Sequence, residues 1–174
     1  CAAERFVVRP EIITILMMAI YLSVCDARSR GEARRFVWLL PLLQVIWTNS
    51  HTLFILGPIV TWCFVYGSFL RRQMQFGLVV VACLITAACW LNPYGHAGAM
   101  FPLTLYREIH KQSILGEVIS EFMSPLGLST WIWELRCGAM LAVIAALSFL
   151  MNRQRFDWTR FLLWVAMLYL ACVA

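Results

Sequence analysis

The stretch from Phe36 to Leu70 runs without a charged residue until Arg71. As one straight helix its roughly 35 residues would reach about 50 Å, far beyond the roughly 30 Å hydrocarbon core of a bilayer. It therefore has to break, and the polar cluster within it is Asn49-Ser50-His51. The sequence thus predicts a crossing over 33–48 and a return over 52–70. That return delivers Arg71 and Arg72 to the side that already holds "CDARSRGEARR", a loop with four arginines. Further apolar runs give spans at 10–25, 74–91, 135–151 and from about Phe161 onward. Pro10 suits the first turn of the first helix. "LNPYGHAG" breaks the chain after the fourth span, because Asn-Pro and Gly disfavour continued helix.

Composition supports this threading. Of 174 residues, 62% are hydrophobic and 13% charged, where a soluble domain has about half and a quarter. Too few polar residues remain to coat a soluble core, and the runs are apolar on every face, unlike the alternating strands of a barrel. The fold expected is all-α: a polytopic transmembrane bundle of about six membrane helices, with an amphipathic interfacial helix in a long outer loop at 92–133. Residues 1–174 read as a single transmembrane domain, a fragment of a longer chain. Cys1 as a lipoprotein N-terminus is the weaker reading, since it leads almost directly into a span. The net charge of +5 follows from arginines beside the apolar runs, so it orients the chain in a membrane rather than marking a nucleic-acid partner. Every arginine-rich short loop, including Arg153, Arg155 and Arg160, falls on one side, expected to be cytoplasmic. The seven cysteines form no CxxC pair and mostly lie in apolar runs, so neither a disulfide framework nor a zinc site is expected.

The same threading sorts the chemistry-bearing residues. His51, His96 and His110 fall on the outer side, with Glu108, Glu117, Glu121 and Glu134. His51 reads either as a turn residue or as a group that binds an anionic headgroup or moves a proton. Asn49 reads as a cap for the following helix or as a donor to a phosphate or sugar hydroxyl. Asn92-Pro93-Tyr94-Gly95 is a turn signature. Downstream, "FPLTLYREIHK" places Arg107, Glu108, His110 and Lys111 on one helical face, either snorkelling or pairing with a lipid phosphate. Glu117 and Glu121 stand one helical turn apart and are either solvated or paired for use. No P-loop, GxSxG or CxxCH occurs, and no tight His/Glu spacing marks a metal site, although a divalent cation stays open as a cofactor.

Taken in order, "VRPEIITILMMAIYL", "WTNSHTLFILG", "LNPYGHAGAMFPLTL" and "ISEFMSP" resemble a family of bacterial multi-spanning membrane proteins grouped by architecture with GT-C glycosyltransferases. Members of that family read W-x-N-x-H-G, then N-P-Y-G-W, then E-W-x-S-P. The resemblance covers roughly residues 8–125, and this chain departs from it at Thr52, His96 and Phe122. It implies transfer of a sugar from a polyprenyl-phosphate carrier at the extracytoplasmic face of the bacterial inner membrane, with membrane lipids and the carrier as partners. The family's acidic catalytic residue would lie ahead of Cys1, so the catalytic residue is unassigned here. On this reading Asn49, His51, Asn92, Tyr94, Arg107 and Glu121 form a substrate-binding wall. A transporter or flippase, or a structural membrane subunit, are the alternative readings, and the oligomeric state stays open.

Overall fold

The computed structural model describes residues 11–32, 34–110, 133–152 and 156–173. Arg9, Pro10, Lys111, Glu117, Glu121, Arg153 and Arg155 lie outside them. Among the described residues the chain forms seven α-helices and two short 3-10 helices, with no strand; the protein is all-α. It divides into two compact units, Cys1–Leu103 and Thr104–Ala174.

The first unit contains α1 (Glu11–Ser29), α2 (Leu40–Thr48), α3 (Leu56–Leu70), α4 (Phe76–Ala88) and the start of α5 (Gly95–His110). One 3-10 helix, Phe36–Leu39, leads into α2, and another, Thr52–Ile55, leads into α3. Helix α1 packs on α2 and α3, while α4 packs on the same two from the other side. Among the described residues, two stretches are long and apolar enough to cross a membrane, Ile12–Ser29 and Thr52–Leu70. Phe36–Thr48, Phe76–Ala88, Arg136–Met151 and Trp158–Leu170 are apolar but shorter.

Helix α1 runs a turn past the expected end at Cys25. Nothing in "CDARS" breaks a helix, and Gly31, with φ +86°, supplies the left-handed residue that does. Ser29 Oγ donates to the Asp26 carbonyl at 2.7 Å. Arg30 closes on Asp26 and reaches Glu32 at 3.5 Å, and these carboxylates raise its pKa further. The far end of α3 closes with a Schellman pattern: Arg72 N donates to Phe69 O at 2.8 Å and Gln73 N to Ser68 O at 2.9 Å. Arg72 occupies the left-handed position at φ +55°, where glycine is the usual residue.

The packing centre of this unit is partly polar. Tyr21, Gln44 and Trp47 are each 0% exposed. The Tyr21 hydroxyl lies 2.8 Å from Gln44 Oε1 and 2.9 Å from the Leu40 carbonyl, sharing its proton between them. Gln44 Nε2 donates to the Phe54 carbonyl at 3.0 Å. These bonds satisfy groups that would otherwise be costly among apolar helices. Trp47 stands edge-on to Tyr21 with ring centroids 5.5 Å apart. Gly57 admits the Gln44 amide: a β-carbon there would lie closer than 3.0 Å to Gln44 Oε1.

The second unit holds the rest of α5, then α6 (Trp133–Met151) and α7 (Trp158–Val173). Helix α7 begins earlier than Phe161 because Asp157 caps it, Oδ1 accepting from Thr159 N at 2.9 Å and Arg160 N at 3.4 Å. The α6–α7 connection is held by aromatic contacts. Phe149 meets Phe161 at 5.5 Å, and Phe156 meets Trp158 at 4.8 Å and Phe161 at 5.3 Å. On α5, the Tyr106 phenol bonds that of Tyr169, which raises the Tyr106 pKa above its ordinary value.

Candidate functional site

Two turns at one end of the first unit bring their side chains to a common cavity. The first is the break at Asn49–His51. Helix α2 ends at Thr48, and His51 leaves it in an extended conformation, φ −155° and ψ 146°. His51, rather than Asn49, caps the following helix: its ring Nδ1 accepts from Leu53 N at 3.2 Å. The Thr14 hydroxyl lies 3.1 Å from the same nitrogen and accepts from Trp47 Nε1 at 3.3 Å. A backbone N–H can only donate, so Nδ1 is an acceptor and the ring proton sits on Nε2. Nε2 has no hydrogen-bond partner among the described residues. His51 therefore offers a hydrogen-bond donor to a ligand, and the lone pair a general base would need is already engaged.

Asn49 is held instead at the end of α2. Its Nδ2 donates to the Val45 carbonyl at 2.7 Å and to the Leu91 carbonyl at 3.0 Å. The second bond ties the first turn to the second across 42 residues of sequence. Both amide hydrogens are used, so only Oδ1 is left to meet a ligand.

The second turn follows α4. Asn92 Oδ1 accepts from Tyr94 N at 2.9 Å, and its Nδ2 donates to Cys89 O at 3.0 Å and Gly95 O at 3.1 Å. Both amide hydrogens and one lone pair of the oxygen are thereby used, and the side chain shapes the loop. Gly95, at φ +54°, turns the backbone into α5. Gly98 leaves room for the Asn92 amide, since a β-carbon there would lie closer than 3.0 Å to Oδ1. This loop leaves Tyr94 80% exposed, and its hydroxyl has no partner among the described residues.

The cavity between the two turns has a volume of about 540 Å³. Asn49, His51, Asn92 and Tyr94 line it, with Phe54, Pro93 and Phe101 supplying an apolar wall. No Arg, Lys, Asp or Glu is among the lining residues. Its recognition groups thus include His51 Nε2–H, the Tyr94 hydroxyl, the Asn49 carbonyl oxygen and the hydroxyls of Thr48, Ser50 and Thr52, together with the apolar wall. Such a site suits a molecule with an apolar body and a hydroxylated or carbonyl-bearing end.

The other two expected site residues are placed differently. Arg107 is exposed on the part of α5 that belongs to the second unit, and Glu121 lies outside the described residues. His96 accepts from Trp90 Nε1 at 3.4 Å. Among the described residues no group of three or more His, Cys, Asp or Glu could hold a metal ion, and Cys25, Cys63, Cys83, Cys89 and Cys137 are free thiols. Sequence reasoning passed over Thr14, Phe54, Gly98 and Phe101. Of these only Thr14, a lone hydroxyl inside "IITILMM", left a visible signal. No family model, curated protein or solved structure matches this chain.

Proposed function

We propose that the chain is part of a polytopic integral membrane protein that holds a polyprenyl-phosphate-linked sugar for glycosyl transfer at the extracytoplasmic boundary. The observation that carries the reading is the joint cavity of the Asn49–His51 and Asn92–Tyr94 turns, lined by polar side chains together with the aromatic rings of Phe54 and Phe101. A sugar offers hydroxyls to the donors, and the isoprenoid offers an apolar chain to Phe54 and Phe101.

The distribution of side chains supports the membrane part. The first unit buries Thr14, Gln44, Thr61 and Ser68 while exposing Ile15, Leu16, Leu42, Ile46 and Phe69. A water-soluble helical cluster keeps most of its large apolar side chains inside, whereas lipid also accepts an apolar exterior and requires polar groups to be satisfied inside. In this orientation the Asn49–His51 tip faces outward and the arginine-bearing helix ends face the cytoplasm.

The test uses membranes containing the whole protein and measures labelled sugar leaving a polyprenyl-phosphate carrier. His51→Asn retains a side-chain acceptor able to cap Leu53 N but lacks the Nε2 donor. It should lower transfer roughly tenfold, the weight of one well-placed hydrogen bond in a dry site, with membrane-inserted protein unchanged. Tyr94→Phe should lower it by a similar factor. Normal transfer in both variants would sink the proposal, and carrier translocation without transfer would assign the protein to transport.

A further inference from the structure

The opposite end of the first unit carries a feature that the cavity does not use. There α1 ends, the Phe36–Leu39 turn begins, α3 ends and α4 begins, and the Phe36–Leu39 turn packs against both α1 and α4. Six arginines gather on these segments (Arg28, Arg30, Arg34, Arg35, Arg71 and Arg72) against two carboxylates, Asp26 and Glu32. Both carboxylates are engaged by Arg30, and six arginines against two carboxylates leave this end net positive.

Arg28 is set apart from its neighbours. It is half-buried, and its Nε is shielded from solvent without a hydrogen-bond partner. Its guanidinium reaches the first turn of α4: a β-carbon on Gly77 would lie 3.7 Å from Arg28 Nη2 and 4.0 Å from Trp38 Cζ2. That first turn has neither a side-chain cap nor an acidic residue; Leu78 N and Val79 N donate to the Gln75 carbonyl, which leaves the N–H groups of Phe76 and Gly77 at the open end of the helix. Gln75, at the cap position, has a buried and unpartnered Oε1. A guanidinium fork, an uncapped helix start, an aromatic ring and a rim of exposed arginines suit one phosphate diester with hydrocarbon attached.

We infer that this end of the first unit is a binding site for an anionic phospholipid, with the phosphate between Arg28 and the start of α4 and Arg34, Arg35 and Arg72 around it. The inference rests on the membrane reading but not on the sugar-carrier reading, because no residue is shared with the cavity.

The chain is purified in a neutral detergent, offered equimolar phosphatidylglycerol and phosphatidylcholine, and its retained lipids are counted by native mass spectrometry. Phosphatidylglycerol should be retained over phosphatidylcholine. Arg28→Gln should lower that retention about fivefold, as expected for one basic group at an anionic headgroup. The exposed pair Arg34→Gln/Arg35→Gln, which has no packing role, should lower it as well, so the inference does not depend on Arg28→Gln folding normally. Arg160→Gln, in the second unit, should leave retention unchanged, and millimolar inorganic phosphate should not displace the lipid. Equal retention of the two lipids, unchanged retention in both arginine variants, or an equal loss in Arg160→Gln would overturn the site. Displacement by inorganic phosphate would overturn the lipid assignment in favour of a free anion. His51→Asn, which tests the sugar-carrier reading, should leave lipid retention unaltered, so the two readings fail separately.

Discussion

Replacing Gly57 with alanine adds a single methyl, and the structure says where its cost would arise. The new β-carbon falls on Gln44 Oε1, which is the tip of a flexible side chain and in isolation would swing aside. Here it is pinned. Gln44 is 0% exposed, its Oε1 lies 2.8 Å from the Tyr21 hydroxyl, and its Nε2 holds the Phe54 carbonyl at 3.0 Å. Moving the amide gives up one or both bonds, at about 1 kcal/mol each, and leaves buried groups partly unsatisfied at about 1–3 kcal/mol more. Tyr21 retains the Leu40 carbonyl, which limits its share. The expected destabilisation is about 2–4 kcal/mol, slightly offset by the better helix propensity of alanine. The assay is detergent-induced unfolding in mixed micelles, followed by helical circular dichroism. The decisive comparison is the double-mutant cycle with Gln44→Ala. With the amide gone, Gly57→Ala should be close to neutral, giving a coupling of at least about 2 kcal/mol. Equal costs of Gly57→Ala in the two backgrounds would refute the reasoning, since the methyl would then be meeting something other than Gln44.

Other variants separate scaffold from site. Asn92→Ala should cost about 2 kcal/mol, because three turn hydrogen bonds are lost, while Tyr94→Phe should change stability by less than about 0.5 kcal/mol as an exposed substitution; both are read from the same unfolding curves. Arg72→Gly should raise stability by about 1 kcal/mol by relieving the left-handed backbone of an L-residue, and a loss of stability would show that the arginine side chain contributes more than its backbone costs. Cys83, exposed, should react with a small membrane-permeant maleimide in detergent well before Cys25, which is 0% exposed, as followed by mass shift; equal rates would mean that α1 does not pack as described.

The break inside Phe36–Leu70 was legible because length alone forbids a single crossing, and the polar residues available for a turn were confined to one place. Helical content was legible for the same reason: long apolar runs without alternation leave few other structures. Which residue caps the break was not. Asn49 and His51 are both able to cap, and the choice depends on the Leu91 carbonyl and the Thr14 hydroxyl, partners 42 and 37 residues away. Asn92 was legible as a turn residue, but the three bonds that hold its side chain were not, because they depend on the path the backbone takes around it. The Tyr21–Gln44–Phe54 bonds were invisible for the opposite reason. A glutamine among leucines and a tyrosine among isoleucines carry no periodicity, and only packing brings them together.

One dimension of the fold bears on how a lipid-linked molecule would reach the cavity. The α2 segment from Phe36 to Thr48 and helix α4 from Phe76 to Ala88 each rise only about 20 Å, while the hydrocarbon core they would meet is about 30 Å thick. Helix α1 and the Thr52–Leu70 stretch are long enough to cross, so the mismatch is local to α2 and α4. Lipids beside α2 and α4 would have to thin, at a fraction of a kcal/mol per Å. The joint cavity opens at the ends of those same two helices. On the proposed membrane reading, a dimple there would bring the headgroup plane towards His51 and Tyr94, so a carrier embedded in the leaflet would present its polar end without leaving the bilayer.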